Sequence, residues 1–243
     1  MSEWQVTGLR DIAEGTIELS CAPPKGECSF DFVPGQFVEI SLPGLKSDPR
    51  GPAREFSIAN APDEPGITII TRLSQSPYKQ ALAALTLRDT VNLVGPYGRF
   101  TLDTLPILMF PSYLVAGEHE IVFVASGVGI APFVSMLRHM KRVGFPCAVT
   151  LFFKTKSRAR APYLGEMEEL ARVHPELTLV VEAGDVFHET LARLATNANP
   201  LVQEPARYFF MAGGPHVMRA AYDTLRANGV LNERIYTEEF SGY

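Results

Sequence analysis

The sequence predicts a β plus α/β protein: a six-stranded antiparallel barrel followed by a doubly wound, five-stranded parallel sheet. Three observations predict it. Up to about residue 100, short runs alternate apolar and polar residues between Pro and Gly turns. From about residue 117 onward, apolar runs alternate with helical patterns. Two of those later runs end in glycine-rich turns that each open a helix.

In the first half, Gln36–Leu42 turns Val38, Ile40 and Leu42 one way and Glu39 and Ser41 the other. Thr16–Cys21 alternates likewise, and Glu55–Ala59, Ile67–Leu73 and Thr90–Val94 are further strands. Roughly six strands at this spacing close into a small barrel. In the second half the strands are Ile121–Ala125, Val149–Phe153, Leu177–Glu182, Tyr208–Met211 and Ile235–Thr237. Helical patterns over Ala131–Arg142, Gly165–Val173 and Val217–Asn228 separate them. The junction, residues 103–117, is unusually apolar (Leu105-Pro106-Ile107-Leu108-Met109-Phe110). It reads as a loop over the domain seam, or as a segment packed on a cofactor or a neighbouring subunit.

The glycine turns point to a ligand. Gly127-Val128-Gly129-Ile130-Ala131-Pro132 and Gly213-Gly214-Pro215-His216-Val217-Met218 each lie between a strand and a helix. Two such turns in one parallel sheet bring two helix N-termini to one edge, where free N–H groups and the helix dipole favour a pyrophosphate. Glycine lets the backbone approach that group closely. A single turn of this kind is often just a tight strand–helix connection; a matched pair is a dinucleotide cradle.

Composition excludes several classes. The 243 residues suffice for one large domain or two ordinary ones, and 46% hydrophobic with 20% charged residues is a globular balance. A formal net charge of -5 argues against nonspecific nucleic-acid binding. The apolar runs are too short to span a bilayer, and Met1-Ser2-Glu3-Trp4 opens no signal peptide, so a cytoplasmic location is expected. Three cysteines (Cys21, Cys28, Cys147) suggest reduced thiols and cannot supply the four ligands of an iron–sulfur cluster. The five histidines lack metal-ligand spacing, so no metal site is expected.

A barrel followed by a dinucleotide-type domain resembles the ferredoxin–NADP reductase superfamily, over nearly the whole chain and through four motifs in order. Arg54-Glu55-Phe56-Ser57 resembles the family's R-x-Y-S flavin motif. The resemblance implies that Arg54 forks onto a phosphate, that Phe56 packs beside the flavin ring and that Ser57 hydrogen-bonds near the site of hydride arrival. Phe56 stands where Tyr is usual. The stretch Thr71 to Leu82 resembles the turn and short helix that hold the FAD pyrophosphate, implicating Thr71, Ser76, Tyr78, Lys79 and Gln80. Its usual glycine is missing, and Lys79 replaces a hydroxyl residue; a cation there is compatible with phosphate. Gly95-Pro96-Tyr97-Gly98-Arg99-Phe100 resembles the structural turn that closes the barrel.

The third motif, Gly127, Val128 and Gly129 through Pro132, resembles G-T-G-I-A-P of the nicotinamide-nucleotide domain, with Val128 replacing a hydroxyl residue. The fourth, with Gly213, Gly214, Pro215 and Met218, resembles C-G-P-P-x-M, and Gly213 stands where the family carries a cysteine near the nicotinamide. Ile235-Tyr236-Thr237-Glu238-Glu239-Phe240 resembles the terminal I-x-x-E-x-F, which implies that Glu238 and Phe240 lie by the flavin; Tyr243 is a further ring candidate.

Lys154-Thr155-Lys156-Ser157-Arg158-Ala159-Arg160 puts four cations into seven residues after the second strand of the sheet. By the resemblance this loop meets the adenosine 2′-phosphate, so Lys156, Arg158 and Arg160 favour NADP(H) over NAD(H). A solvated loop or a docking patch for an acidic protein would show the same charges.

The expectation is an FAD enzyme with residues 1–112 as the FAD-binding barrel and 113–243 as the NAD(P)-binding domain. Hydride would come from NADPH, with Ser57 and Glu238 as the catalytic pair. Electrons would pass to a separate one-electron acceptor protein: a ferredoxin, a flavodoxin or an oxygenase component. Two alternatives stay open: an NAD(P)H:flavin reductase using diffusing flavin, and a non-catalytic flavoprotein subunit of a larger complex.

Overall fold

The structure is a computed structural model that describes residues 2–24, 26, 30–105, 119–184, 186–196 and 206–240. The chain separates into two compact units. One gathers residues through Thr101 together with Ala131–His139; the other gathers Leu102–Ile130 and Met140 onward. The sequence-predicted boundary at residues 112 and 113, and the apolar segment after Leu105, lie outside the described residues.

The first unit holds β1 (Ser2–Ala13), β2 (Thr16–Ala22), β3 (Phe37–Ser41), β4 (Ala53–Ser57), β5 (Ile67–Arg72), helix α1 (Pro77–Ala83) and β6 (Thr90–Tyr97). The six strands form one antiparallel sheet in the order β4-β3-β6-β1-β2-β5. A bridge between Ile58 and Ile69 joins its two edges, which closes the sheet into the predicted barrel. The alternating residues Leu19, Val38, Ile40, Ile67, Ile69, Val91 and Leu93 point inward, and Tyr78 and Leu82 of α1 join the same core.

The closing turn is shaped by packing. A Cβ on Gly98 would lie 2.9 Å from the Phe37 ring, and one on Gly95 would lie 3.1 Å from Val38. Ala131–His139 belongs to this unit through hydrogen bonds. The Ser135 hydroxyl donates to the Asn60 carbonyl at 2.7 Å, and Arg138 pairs with Glu64 at 3.4 Å.

The second unit carries β7 (His119–Ser126), helix α2 (Ala131–Val143, its first part in the other unit), β8 (Ala148–Lys154), α3 (Leu164–Val173), β9 (Leu177–Glu182), α4 (Phe187–Thr196), β10 (Ala206–Gly213), α5 (Pro215–Ala227) and β11 (Ile235–Glu239). All five strands are parallel, ordered β11-β10-β7-β8-β9. Ile121 to Ala125 on central β7 are wholly buried, as a strand covered on both faces requires. The chain winds outward from β7 toward β9, then crosses to β10 on the other side. β7 and β10 therefore flank the topological switch point, where such sheets bind ligands beyond their carboxyl ends. At the opposite end, Glu120 binds Arg207 at 2.6 Å and Thr150 at 2.9 Å, tying β7, β10 and β8 together.

No helix among the described residues is long and apolar enough to cross a membrane.

Candidate active site

In the barrel unit, the Arg54 motif lies on β4. The guanidinium is held rather than loose. Nη1 donates to the carbonyls of Arg50, Gly51 and Ala53, and Nη2 donates to Asp48 Oδ1 at 2.7 Å. The plane lies 4.9 Å over the Tyr78 ring. Those bonds leave the Nε–H and a second Nη2–H with no partner among the described residues, two donors of the kind a phosphate oxygen accepts.

Asp48, which motif reading missed, is the hub of this arrangement. Oδ1 also accepts from the Arg50 N–H at 2.9 Å, and Oδ2 accepts from the Tyr78 N–H at 3.0 Å. The Arg50 N–H foremost, with the Tyr78 N–H and Arg54, holds its carboxyl below the ordinary carboxylate range. Asp48 thus locks the β3–β4 loop, Arg54 and the start of α1 into one piece. Its only sequence signal is an Asp two residues before an Arg-Gly turn, which is too common to single out.

Phe56 and Ser57 are both buried, and the Ser57 hydroxyl makes no hydrogen bond to a described residue. Phe56 stacks on Tyr78 with ring centres 6.1 Å apart. Ser76 caps α1 by accepting from the Lys79 N–H at 3.3 Å, and Tyr78 donates its hydroxyl to the Ile40 carbonyl. Gln80 is exposed and binds Gln75.

Lys79, the cation of this stretch, is buried. It is 7% exposed, its Nζ donates to the Thr71 hydroxyl, and it lies 4.9 Å over the Phe56 ring. Burial foremost, then Arg54 and Arg50, pushes its pKa down to about 8.

In the second unit, the two glycine turns follow β7 and β10, neighbouring strands paired through Ala125 and Ala212. The four glycines divide into two kinds. Gly129 and Gly213 serve packing: a Cβ on Gly129 would lie 2.1 Å from the Ala212 carbonyl oxygen, and one on Gly213 would lie 2.8 Å from Ser126 Cβ. Gly127, at φ +57°, and Gly214 face open space, with nothing within 4 Å of their Cβ positions. Neither α2, capped by Ile130, nor α5, capped by Gly214, has a side chain bonded to its first N–H groups. Both have Pro in the first turn; α2 continues a 3-10 turn over Gly127–Ile130, and at α5 the Val217 and Met218 N–H groups donate to the Gly214 carbonyl, which leaves the His216 N–H as the first-turn donor open to an outside acceptor. Open glycines beside uncapped helix starts fit a dinucleotide diphosphate.

Val128 and Met218 are buried and Pro215 is exposed. Glu238 pairs in register with Ala212 on β11, half-buried, and the Phe240 N–H donates to the Gly213 carbonyl at 2.9 Å. Tyr243 lies outside the described residues. In the basic loop, Lys154 donates to the Gly184 carbonyl and Arg158 pairs with Glu168 at 2.5 Å. Arg160 is half-buried, and Lys156 is exposed with no bonded partner. Of the four cations, Lys156 is the one most available to a ligand.

Comparisons with known proteins agree with this architecture. The family model described as "Oxidoreductase NAD-binding domain" matches residues 123–222, a span that runs from β7 into α5 and contains both glycine turns. The chain is 27% identical over 252 residues to ferredoxin–NADP reductase B of Sorangium cellulosum, covering 98% of this chain and 97% of that one. It is 25% identical over 249 residues to the reductase component of propane 2-monooxygenase of Rhodococcus jostii. The chain spans 63% of that relative's length. Among solved structures, the ferredoxin–NADP+ reductase of Plasmodium falciparum superposes with a TM-score of 0.77 at 14% identity, covering 98% of this chain and 95% of that one.

Proposed function

We propose that this chain is a member of the ferredoxin–NADP reductase superfamily, an FAD-dependent oxidoreductase that takes hydride from NADPH and passes electrons to a separate acceptor protein; the match to an oxidoreductase NAD-binding domain and the full-length likeness to ferredoxin–NADP reductase B support the reading. One observation carries the reading: two open glycines, Gly127 and Gly214, follow the neighbouring strands β7 and β10 at the switch point of a parallel sheet, and α5 begins there with no side chain on its first N–H groups. Residues 1–112 form the FAD-binding domain in this reading and 113–243 the NAD(P)-binding domain. The acceptor is a ferredoxin, a flavodoxin or an oxygenase component.

FAD, when bound, supplies the capacity to accept two electrons from a nicotinamide and release them singly. The chain's part is to bind and orient. Arg54, fixed by Asp48, turns its two remaining donors to the flavin diphosphate; Phe56 offers an apolar face; the Ser57 hydroxyl supplies a hydrogen bond to the flavin's polar edge. The uncapped starts of α2 and α5 hold the nucleotide diphosphate, and Glu238 presents a carboxylate at the end of β11.

Arg54→Lys tests the flavin assignment. One ammonium cannot hold Asp48 and three carbonyls while donating to a phosphate, so the Kd for FAD, read from flavin fluorescence on the apoprotein, is expected to rise about tenfold. Lys156→Ala tests the nucleotide preference. Loss of the one unengaged cation should raise the Kd for NADPH about tenfold and leave NADH unchanged.

The function itself is tested by anaerobic titration with NADPH and then NADH while flavin absorbance is followed. Rapid bleaching by NADPH is the expected result. A flavin band that neither nucleotide bleaches would favour a non-catalytic electron-transfer subunit. A protein that retains no flavin but reduces it when supplied would favour the flavin reductase reading.

A further inference from the structure

We propose that Arg50 holds the adenylate-side phosphate of FAD, the phosphate that distinguishes FAD from FMN, as the outer half of a two-arginine clamp with Arg54. This rests on the flavin reading above and adds a residue that lies outside the flavin motif.

The start of α1, where the sequence places the diphosphate, is engaged by the chain itself. Pro77 has no N–H. The Tyr78 N–H donates to Asp48 Oδ2 at 3.0 Å, the Lys79 N–H to the Ser76 hydroxyl at 3.3 Å and the Gln80 N–H to the Ser76 carbonyl at 3.0 Å. Recognition of a diphosphate therefore falls to side chains. Lys79 is buried on Thr71 and adds charge from behind. Arg54 has its Nε–H and one Nη2–H left, a pair that matches one phosphate.

Arg50 supplies the second guanidinium. Asp48-Pro49-Arg50-Gly51 is a tight turn, closed by the Gly51 N–H on the Asp48 carbonyl at 3.0 Å, with Pro49 fixing its second position. The Arg50 N–H donates to Asp48 Oδ1 at 2.9 Å, and the Arg50 carbonyl accepts from Arg54 Nη1 at 3.1 Å. Both backbone groups of Arg50 are thus bonded within the arrangement that fixes Arg54. Its side chain is exposed and makes no hydrogen bond or ion pair among the described residues. Lys79 feels the charge of both arginines, and Asp48 is the carboxylate bonded to this group of three cations. The surplus positive charge suits an anion of more than one charge.

Chain order assigns the phosphates. Phe56 and Ser57 take the ring, Arg54 precedes them on β4, and Arg50 lies in the turn before that strand. A flavin extended in that direction meets Arg54 with its first phosphate and Arg50 with its second.

Arg50→Gln removes the exposed guanidinium and keeps both backbone bonds. Wild-type and variant apoprotein are titrated with FAD and with FMN at low and high salt, and flavin fluorescence is read. FMN is the internal control for folding and for the Arg54 contact. The expected result is a Kd for FAD about five- to twentyfold weaker, a Kd for FMN unchanged within about twofold, and a shallower salt dependence of FAD binding. Equal weakening of FAD and FMN overturns the proposal, because Arg50 would then act on the phosphate they share. Wild-type FAD binding with an unaltered variant overturns this proposal alone. A wild-type protein that binds neither flavin overturns the functional reading and this proposal with it.

Discussion

Gly129→Ala is expected to destabilise the protein by about 3 kcal/mol and to abolish tight nucleotide binding. Its Cβ would lie 2.1 Å from the Ala212 carbonyl oxygen, 2.5 Å from the Ala212 carbonyl carbon and 2.7 Å from Gly213 Cα. All three are backbone atoms of β10, a strand paired on both sides, so nothing nearby can yield without disturbing the sheet. Overpacking of that kind costs at the upper end of its usual range. In a chain of this size, about 3 kcal/mol lowers the melting temperature by roughly 10 °C. Gly214→Ala is the control. Its backbone sits at φ -66° and ψ 145°, and nothing lies within 4 Å of its Cβ position, so stability should hold within about 0.5 kcal/mol. The added methyl then stands where the nucleotide approaches, and affinity should fall without loss of fold. Thermal denaturation and nucleotide titration of the two variants separate the packing glycine from the ligand glycine. Equal melting temperatures for Gly129→Ala and wild type would refute that division.

The division itself was not legible in the sequence. Gly127, Gly129, Gly213 and Gly214 all read as places for backbone approach to a diphosphate, because spacing does not reveal which Cβ position meets protein and which meets solvent. The parallel sheet was legible almost residue for residue, since strands buried on both faces leave continuous apolar runs such as Ile121–Ala125. The barrel was legible where alternation holds, as over Phe37–Ser41. It failed for β1. That strand shifts register between Val6 and Gly8 and again between Asp11 and Ala13, so its side chains lose the period of two. Helix α1 was legible only through resemblance, being seven residues long. Asp48 was hidden because its partners, Arg54 and the Tyr78 N–H, converge only in three dimensions.

Lys79→Met is expected to stabilise the flavin-free protein and weaken its hold on FAD. Lys79 is buried against Thr71 and Phe56, and among the described residues no carboxylate pairs with it. Its pKa falls from 10.5 to about 8, and the difference, at about 1.4 kcal/mol per unit, amounts to about 3 kcal/mol. The sign follows from proton binding. Between pH 8 and 10.5 the unfolded chain holds the Lys79 proton and the folded chain does not, so stability rises with pH across that window. Below pH 8 the folded protein carries the buried charge and its full cost. Methionine keeps the unbranched stem and removes the charge, at the expense of leaving the Thr71 hydroxyl without its donor, about 1–2 kcal/mol. The net expectation is a gain of about 1–2 kcal/mol at pH 7 that shrinks as pH rises above about 8 and turns into a loss of about 1–2 kcal/mol by about pH 10.5, read from denaturant unfolding of the apoprotein. FAD should reverse the order. A diphosphate near the Arg50, Arg54 and Lys79 cluster offsets the charge, so wild-type affinity should decline as pH rises through about 8 while the methionine variant's affinity is weaker and flat there. A variant that destabilises the apoprotein at pH 7, or one that binds FAD with the wild-type pH profile, would place the Lys79 charge outside flavin binding.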